Sequence, residues 1–386
     1  MLSYPFTFPK INGRLIRRVN RFVIEAEVDG QNVEAYLPNP GRLWELLLPG
    51  TELMLGPASA NAKLPYTVLA CRKEGQLVLL HTHLTNRIIC RLIEEGKLKL
   101  FKDYRVAREE PAYGRNRFDL LLKHQATGGT YYLEVKTCTL FAGSVAMFPD
   151  AVTKRGTDHL LKLKEISGRG IKTGCLFVVM DPKAKYFLPA YHIDPGFARA
   201  FIAVKGAVEL QAIGLGFDSS LSTIDVIKEV SIPFELLNAE HQDRGAYLLL
   251  IKLESDKKVM VGSLGQVLFK QGYYIYVGSA MRFLSKRLAR HSRRKKKVRW
   301  HIDYLVKEAT TVTAVPIISG DNLECGLAKS LQEMADSPVK GFGSSDCSCP
   351  AHLFYLAQNP LHNPRFIDLI QYYRILRLER KLNLHR

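Results

Sequence analysis

The segment RFDLLLKHQATGGTYYLEVKTC, residues 117–138, contains two apolar runs on either side of a glycine-containing turn. This arrangement predicts a β-hairpin that turns through 126–129. If the hairpin is symmetric about that turn, Asp119 lies opposite Glu134. Lys136 then shares the face of Glu134, because side chains alternate between the two faces of a strand. One face of the hairpin is therefore apolar, and the other collects two carboxylates and an amine.

The polar face of this hairpin has the composition of a divalent-metal site. Two carboxylates that lie close together repel each other unless a cation separates them, and oxygen ligands of this kind suit Mg²⁺ or Mn²⁺. Such an ion could bind a phosphate oxygen and lower the pKa of a bound water, and Lys136 could stabilise charge in the transition state. A solvated cross-strand network of the same three side chains is the alternative. The turn of suitable length, in a basic chain, favours the metal site.

The rest of the chain divides by its hydrophobic pattern. Residues 1–83 contain short β-like runs separated by turn residues, which predicts a small β-barrel. Residues 84–215 alternate helix and strand, and this alternation predicts an α/β layer fold. Residues 216–243 show no clear period and are interpreted as a linker. A second α/β unit is expected over 244–358, followed by a helical tail over 359–386.

Length and charge limit the classes of function. A chain of 386 residues is expected to contain two or three domains. Its 55 Lys and Arg residues against 37 Asp and Glu residues give a net charge of +18, for which a polyanionic partner is the usual reason. We expect nucleic acid first and an anionic membrane surface second, with a merely basic enzyme as the remaining alternative. The sequence shows neither a transmembrane run nor a signal pattern, which indicates a cytoplasmic protein without membrane contact.

Six stretches within residues 1–215 carry a family resemblance: GRLIRRVNRF (13–22), YLPNPGRL (36–43), LPYT (64–67), RFDLLL (117–122), LEVKTCTL (133–140) and FPDAVTKRGTDHL (148–160). They closely resemble the sugar fermentation stimulation protein A (SfsA) family. The resemblance implies an OB-like β-barrel followed by an α/β PD-(D/E)XK restriction-endonuclease-like domain. It also implies non-specific DNA binding, nuclease activity and a regulatory role in sugar metabolism.

The resemblance assigns roles to individual positions. Three of them match the nuclease-like motif of the family: Asp119, Glu134 and Lys136. Glu110 matches an upstream acid of the family and would be an additional ligand. Arg155 and His159 match a further block and could contact a phosphate near the metal, since residues four apart share one helix face. A charge pair on the helix surface is an equally open alternative for these two.

Four arginines near the N-terminus are candidate nucleic-acid contacts on the barrel: Arg14, Arg17, Arg18 and Arg21. They alternate with apolar and aromatic residues, and basic groups beside aromatics suit binding to a single strand or a phosphate backbone. A solvated strand edge protected by charge is an equally open alternative.

A second group of chemically active residues falls within about 245–356. The stretches that carry it are YYIYVGSA (273–280), RLARH (287–291), WHIDYL (300–305), LECGLA (323–328) and GFGSSDCSCPAHLFY (341–355). They resemble the GIY-YIG nuclease superfamily, and more closely a GIY-YIG-like α/β domain of unknown function. The separation of the two motifs, with residues 248–275 between them, is longer than in typical members. An inserted hairpin would explain it.

This second resemblance implies a one-metal nuclease site. Tyr247 and Tyr276 are the motif tyrosines, Arg287 is the phosphate-binding arginine and Glu324 is the metal ligand. Such a set is chemically coherent, because a tyrosine hydroxyl can help activate water and an arginine can neutralise a phosphate. On the residues alone, the tyrosines could equally be ordinary strand aromatics, and Glu324 could be the partner of an Asp321 helix cap.

The densest basic run is RRKKK: Arg293, Arg294, Lys295, Lys296 and Lys297. Like charges repel too strongly for this run to form a structural helix face. We interpret it as a phosphate-contacting loop with salt-sensitive affinity, and favour this over membrane contact.

The seven cysteines are scattered through a long chain, which favours reduced thiols over a disulfide framework. Cys347 and Cys349, with His352 nearby, raise the question of a zinc site. Their C-x-C spacing is shorter than the usual C-x₂₋₄-C, and Cys325 would have to supply a further ligand. The sequence therefore favours a turn packed by small thiols.

The sequence as a whole predicts a multidomain DNA-binding protein. The first α/β domain is expected to be a Mg²⁺- or Mn²⁺-dependent endonuclease that hydrolyses phosphodiester bonds with Asp119, Glu134 and Lys136. The GIY-YIG-like domain is expected to add binding or a second cleavage. The alternatives are a non-catalytic DNA-binding regulator, or a ribonuclease that takes RNA in place of DNA.

Overall fold

The computed structural model describes residues 2–3, 9–58, 61–293 and 296–384. The chain divides into two compact units. The first unit comprises Met1–Phe234 together with Leu378–Arg386, and the second comprises Glu235–Arg377.

The N-terminal part of the first unit is a closed barrel. A short strand, β1 (Leu2–Ser3), precedes it and belongs to the central sheet. The barrel sheet is built from β2 (Ile11–Arg18), β3 (Val23–Val28), β4 (Gln31–Tyr36), β5 (Glu52–Pro57), β6 (Tyr66–Lys73) and β7 (Gln76–Leu79). Strand β4 pairs in parallel with β6, which closes β2 to β6 into a five-stranded barrel. Alternation along β3 buries Ile24, Ala26 and Val28 and exposes Glu27, as expected for a strand with one face in a core. The predicted OB-like barrel is confirmed.

The remainder of the first unit is an α/β layer. Its elements are α1 (His83–Glu94), β8 (Tyr104–Glu109), β9 (Ala112–Tyr113), β10 (Asn116–Arg117), β11 (Leu120–His124), β12 (Thr130–Cys138), β13 (Leu140–Ala142), β14 (Val145–Phe148), α2 (Lys154–Ser167), β15 (Lys172–Val179), β16 (Tyr186–Pro189), α3 (Pro195–Ala203), β17 (Glu209–Phe217) and β18 (Thr223–Val230). The central sheet has the order β1-β18-β17-β15-β12-β11-β8, with β12, β15 and β17 parallel. A small second sheet joins β13, β14 and β16.

The hairpin of β11 and β12 has the predicted register. Leu120 is paired with Leu133, and Leu122 with Tyr131. The same register continues to Asp119 opposite Glu134, just before β11 begins. All four paired side chains are buried, so this face of the hairpin packs into the core. The polar face, which carries Glu134 and Lys136, must therefore point away from that core.

Residues 216–243 are not a linker, so that prediction is wrong. They contain the end of β17, all of β18 and all of the helix α4 (Phe234–Glu240). Strand β18 lies near one edge of the central sheet, between β17 and β1. Three of its eight residues are half-buried and three are exposed, and this mixed pattern hides the two-residue period that marks a strand in sequence.

The second unit is an antiparallel sheet with surrounding helices. Its elements are β19 (Gly245–Leu253), β20 (Lys257–Met260), β21 (Gln266–Phe269), β22 (Gly272–Ala280), α5 (Leu284–His291), α6 (His301–Glu308), β23 (Thr311–Ile318), α7 (Glu324–Gln332), β24 (Ser337–Pro338), β25 (Leu353–Leu356) and α8 (Pro364–Gln371). The sheet order is β23-β19-β22-β25-β24. Strands β20 and β21 pair only with each other among the described residues, which confirms the inserted hairpin between the two tyrosine motifs.

The predicted helical tail is also confirmed. Helix α8 continues through one π-helical turn, Tyr372–Leu376, into α9 (Arg377–Leu384). Asn363 caps the start, because its side chain accepts a hydrogen bond from the backbone N–H of Arg365, and Pro364 occupies the first helical position.

Glycine at position 174 is required by packing in the first unit. A Cβ atom there would lie 1.9 Å from the hydroxyl oxygen of Tyr131, a buried side chain that donates a hydrogen bond to Glu209 over 3.1 Å. We expect Gly174→Ala to lower the free energy of unfolding of the first unit by about 1–3 kcal/mol, because the core must shift to admit the methyl group. Urea unfolding followed by Trp44 fluorescence in a Trp300→Phe background would measure it.

The matched control is Gly168→Ala, where the new Cβ would meet its nearest neighbour at an ordinary 3.4 Å. This variant should stay within about 0.5 kcal/mol of the parent protein. Equal midpoints for the two variants would contradict the packing argument.

Candidate functional site

The polar face of the β11–β12 hairpin opens into a cleft of about 910 Å³ in the first unit. Asp119, Glu134 and Lys136 all line it. Asp119 comes just before β11, whereas Glu134 and Lys136 lie on β12, which is flanked by β11 and the parallel strand β15. The structure therefore brings together the three residues that the sequence groups as a nuclease motif.

The carboxylate of Asp119 is held by two hydrogen bonds. Its Oδ1 accepts from the side-chain amide of Asn86 at 2.8 Å, and its Oδ2 accepts from the backbone N–H of Val135 at 2.7 Å. Burial raises the pKa of Asp119, the nearby carboxylate of Glu134 raises it further, and Lys136 opposes both. Asn86 lies on α1 and has no motif around it, so sequence reasoning missed it.

Glu134 is the most enclosed acid of the cleft, with 2% of its surface exposed. Its Oε1 accepts a hydrogen bond from Lys136 Nζ and lies 2.5 Å from His159 Nδ1. Burial alone would raise the pKa of this carboxyl, but the ammonium and the imidazole together lower it. Glu134 is therefore ionised at neutral pH.

The second oxygen of Glu134 supplies a test of whether a metal ion fits here. Oε2 is buried and has no hydrogen-bond partner among the described residues. An unpaired carboxylate oxygen inside a protein is costly. A cation bound at Oε2, beside the second carboxylate of Asp119, would remove that cost, and the oxygen donors suit a hard divalent ion. The residues present therefore fit Mg²⁺ or Mn²⁺.

Lys136 and His159 support Glu134 from two elements. Burial lowers the pKa of Lys136, but Glu134 and Asp119 raise it by more, so the amine remains protonated. His159 lies on α2, and its Nε2 accepts a hydrogen bond from Arg155 Nε at 3.4 Å, which places the ring proton on Nδ1, facing Glu134. His159 is thus a buried support of the carboxylate rather than the exposed phosphate contact that the sequence predicts.

One wall of the cleft comes from the barrel. Asn39, Pro40 and Gly41 line it. Asp150 holds this turn in place, because its Oδ2 accepts from the backbone N–H of Leu43 at 2.6 Å. Arg18 also holds the turn, through a 2.6 Å hydrogen bond from Nη1 to the carbonyl oxygen of Arg42.

The rim of the cleft is basic. Arg21 and Arg155, both exposed, line it. Arg87, an exposed residue of α1, joins them, although no sequence pattern marks it. Glu110 lines the cleft too, but its carboxylate pairs with Arg117 at 3.0 Å.

The other barrel arginines do not lie in this cleft. Arg17 pairs with Glu25 at 2.6 Å, and Arg14 lies 3.8 Å from Glu52 in a separate pocket of about 380 Å³. A bulge in the pairing of β2 with β3 interrupts the regular alternation between Leu15 and Arg17. Of the four arginines predicted as nucleic-acid contacts, Arg21 is therefore the one that lines the cleft.

In the second unit, the structure gathers the four residues of the GIY-YIG-like motif. The rings of Tyr247 and Tyr276 lie 6.3 Å apart, on neighbouring strands β19 and β22. Burial raises the pKa of Tyr247 to about 12, although a hydrogen bond with Arg287 lowers it, and Glu324 lies close enough to act on both tyrosines. A Cβ at Gly278 would lie 2.5 Å from the Tyr247 hydroxyl, which explains the glycine of this motif.

Glu324 is not a helix cap. It is the first residue of α7, and Leu323 at the cap position makes no side-chain capping bond. Instead, Ser279 Oγ donates a hydrogen bond to its Oε2, and His352 Nδ1 lies 3.3 Å from its Oε1. Burial raises the pKa of Glu324, but His352 and Ser279 lower it by more, so the carboxyl is ionised at neutral pH.

The residues of the basic run after α5 do not all have the same role. Arg294 and Lys295 lie outside the described residues. Lys296 is a structural residue: its side chain is 5% exposed and its Nζ lies 3.3 Å from Oδ1 of the buried Asp303. Its predicted role in phosphate contact is therefore corrected. Arg293 and Lys297 are exposed and remain predicted phosphate contacts.

These features define a class of protein. The first unit joins an OB barrel to a nuclease-like α/β domain with an Asp…Glu-x-Lys cleft, and the second unit is a further α/β domain with a Tyr, Arg and Glu cluster. The chain belongs to the sugar fermentation stimulation protein (SfsA) family. Residues 16–80 match the SfsA N-terminal OB domain, residues 83–220 match the sugar fermentation stimulation protein RE domain, and residues 246–374 match the domain of unknown function DUF123.

Relatives of known sequence and structure support this assignment. A sugar fermentation stimulation protein homolog of Clostridium tetani is 35% identical over 219 residues, which are 56% of this chain and 94% of the relative. A homolog of Pyrobaculum arsenaticum is 38% identical over 55% of this chain and 91% of its own length. The structure of Pyrococcus furiosus SfsA in complex with Ca²⁺ is 27% identical, with a TM-score of 0.54 over 60% of this chain and 97% of that one. No helix among the described residues is both long and apolar enough to cross a membrane.

The pair of Tyr247 and His291 predicts a pH dependence of stability. The hydroxyl of Tyr247 lies 2.9 Å from His291 Nε2, and burial together with Lys296 lowers the pKa of His291 from 6.5 to about 4. The unfolded chain therefore binds more protons than the folded one between these values. Stability of the second unit should be unaffected by His291 above pH 6.5 and should fall as pH drops from 6.5 towards 4.

This dependence can be measured by urea unfolding at several pH values, with Trp300 fluorescence in a Trp44→Phe background. We expect His291→Gln to reduce the loss of stability between pH 6.5 and 4, because glutamine keeps a polar partner for Tyr247 and does not titrate there. His362→Gln, which replaces an exposed histidine of the same unit, should retain the loss. Identical pH profiles for the parent and His291→Gln would contradict the assignment.

Proposed function

We propose that this protein is a DNA-binding, Mg²⁺- or Mn²⁺-dependent nuclease whose active site is the cleft of Asp119, Glu134 and Lys136. The observation that carries the proposal is Oε2 of the ionised Glu134, which is buried and has no hydrogen-bond partner within the described part of the chain, in a cleft that Asp119 also lines. In its support, the related Pyrococcus furiosus SfsA has a structure in complex with Ca²⁺, a hard cation that also takes oxygen ligands.

Each residue of the cleft has a distinct task in this proposal. Asp119 and Glu134 would hold the ion, which when bound would polarise the phosphate and lower the pKa of a water. Asn86 and the N–H of Val135 orient Asp119, while His159 orients Glu134. Lys136 is protonated, so it would stabilise negative charge on the phosphate rather than remove a proton.

The basic rim accounts for binding. Without a basic rim, a phosphodiester backbone that enters the cleft would meet only the repulsion of the carboxylates of Asp119 and Glu134. Arg21 and Arg155 lie on the rim with exposed side chains and could each contact one phosphate. The second unit would add affinity or a second cleavage through Tyr247, Arg287 and Glu324.

Cleavage of labelled single- and double-stranded DNA and RNA, with Mg²⁺, Mn²⁺ or EDTA, tests the catalytic proposal. We expect metal-dependent cleavage of DNA by the parent protein and a loss of at least about 100-fold in Glu134→Gln and in Asp119→Asn. Glu165→Gln is the matched control, because it removes an exposed carboxylate from α2. It should cleave like the parent.

The other outcomes separate the alternatives. Cleavage that survives Glu134→Gln and disappears in Glu324→Gln would assign the activity to the second unit. Preference for RNA would make the protein a ribonuclease. Tight binding by every variant without cleavage would overturn the nuclease proposal in favour of a non-catalytic DNA-binding regulator.

The salt dependence of DNA binding tests the role of the rim. Each lost phosphate contact should reduce the slope of log affinity against log salt by about 0.9. Arg21→Ala and Arg155→Ala should each weaken binding and flatten this slope by that amount in a titration from low to moderate salt. Arg17→Ala is the control on the same barrel, because Arg17 already pairs with Glu25. An equal change of the slope in all three variants would argue against a defined path of the DNA backbone across the cleft.

A further inference from the structure

The fold of the second unit assembles four soft metal ligands that are far apart in sequence. The sulfur atoms of Cys325, Cys347 and Cys349 and a ring nitrogen of His352 all lie within 4.8 Å of one another. Cys325 is in the first turn of α7, whereas the other three lie in or at the end of the irregular segment 339–352 between β24 and β25. The C-x-C spacing alone argues against the set, and it is the fold that brings Cys325 to the other three.

We propose that Cys325, Cys347, Cys349 and His352 form a structural Zn²⁺ site that fastens the segment 339–352 to the start of α7. Three thiolates and one imidazole are a standard ligand set for structural zinc. Ligand atoms at about 2.0–2.3 Å from a tetrahedral ion lie roughly 3.3–3.8 Å from one another. The observed separations need only a small contraction to reach this geometry, and Cys347 Sγ already lies 3.4 Å from His352 Nε2.

The segment that the ion would fasten is anchored near its start by Phe342, whose buried ring contacts Phe269, Tyr276 and His301, but the part that carries Cys347 and Cys349 has no buried side chain. Among its residues, Phe342, Ala351 and His352 are the buried ones. Its ends are tied by backbone hydrogen bonds, from His352 N–H to the Phe342 carbonyl at 2.8 Å and from Gly341 N–H to the Pro350 carbonyl at 2.9 Å. The cysteines between these ties gain no support from regular structure. A bound ion would supply the missing cross-link, as metals do in small or loop-rich regions.

The surroundings of His352 agree with metal binding through Nε2. The ring is 1% exposed, and its other nitrogen, Nδ1, lies 3.3 Å from Glu324 Oε1. A histidine that binds zinc through one nitrogen commonly donates its remaining N–H to a carboxylate, which fixes the ring and strengthens the ligand. Nδ1 makes no hydrogen bond of good geometry among the described residues, so a small rotation of the ring would be needed to donate to Glu324, whose other oxygen Ser279 holds. Glu324 would therefore be a positioning residue of the zinc site.

The site differs in chemistry from the cleft of the first unit. The cleft offers carboxylate oxygens, which suit Mg²⁺ or Mn²⁺, whereas sulfur and imidazole select zinc. The two sites should therefore load independently. Because Glu324 adjoins Cys325, the zinc site would also fix the acid of the GIY-YIG-like cluster relative to Ser279.

The test is the zinc content of the full chain, purified under reducing conditions, supplied with Zn²⁺ and dialysed before mass-spectrometric metal analysis. We expect about one zinc per chain in the parent protein. Cys325→Ser and the double variant Cys347→Ser/Cys349→Ser should lose most of it. Cys90→Ser, which replaces a half-buried cysteine outside the cluster, should keep it, and so should Glu134→Gln, which separates this site from the proposed nuclease centre.

Two further measurements keep the proposal testable if the cysteine variants fail to fold. Substitution of Co²⁺ into the parent chain should give the visible bands of tetrahedral thiolate coordination, which requires no mutation. Glu324→Gln should weaken zinc affinity about 10–100-fold in a competition with a chromogenic chelator, whereas Glu333→Gln, at the exposed end of the same helix, should not. The proposal is overturned if the parent binds no zinc, if Co²⁺ gives only octahedral spectra, or if the cysteine variants retain full zinc content.

Discussion

The buried charge of Glu134 is the interaction on which the first unit's cleft depends. An isolated carboxylate in the interior is strongly disfavoured, and its cost is offset here by Lys136 and His159 on one oxygen. Lys136 comes from the same strand and His159 from α2, so the network also fixes the helix against the sheet. Loss of Lys136 would remove the cation of this buried ion pair, at a cost of about 3–5 kcal/mol. The candidate site is therefore part of the packing of this domain.

Local patterns were enough to predict the centre of this site. The turn length and the apolar alternation of residues 117–138 specify the hairpin register, and register decides which side chains share a face. Asp119 opposite Glu134 follows from these two constraints, and the observed pairing of Leu120 with Leu133 has the same register. The supporting residues could not be predicted in the same way. Asn86 reaches Asp119 from α1, and only the tertiary fold brings that helix to the hairpin.

The errors of sequence reasoning share a physical cause. Lys296 looks like a member of a solvated basic run, but the buried Asp303 needs cations, and Lys296 and Arg290 supply them. The partially exposed strand β18 lacks an apolar face that a pattern could detect. In each case a long-range partner decides the role of the residue, and no local property of the chain encodes that partner.

The charge distribution in the cleft links the binding of its two expected ligands, a divalent cation and a nucleic acid. A polyanion that approaches Asp119 and Glu134 meets like charge, even though the rim and the protein as a whole, at +18, attract it. A divalent cation held by these carboxylates would reverse the local sign and present a positive centre to the phosphate. Each ligand should therefore raise the affinity of the other, as linkage requires. The rim arginines could not replace the ion, because Arg21 and Arg155 are exposed whereas Glu134 Oε2 is buried and has no hydrogen-bond partner among the described residues.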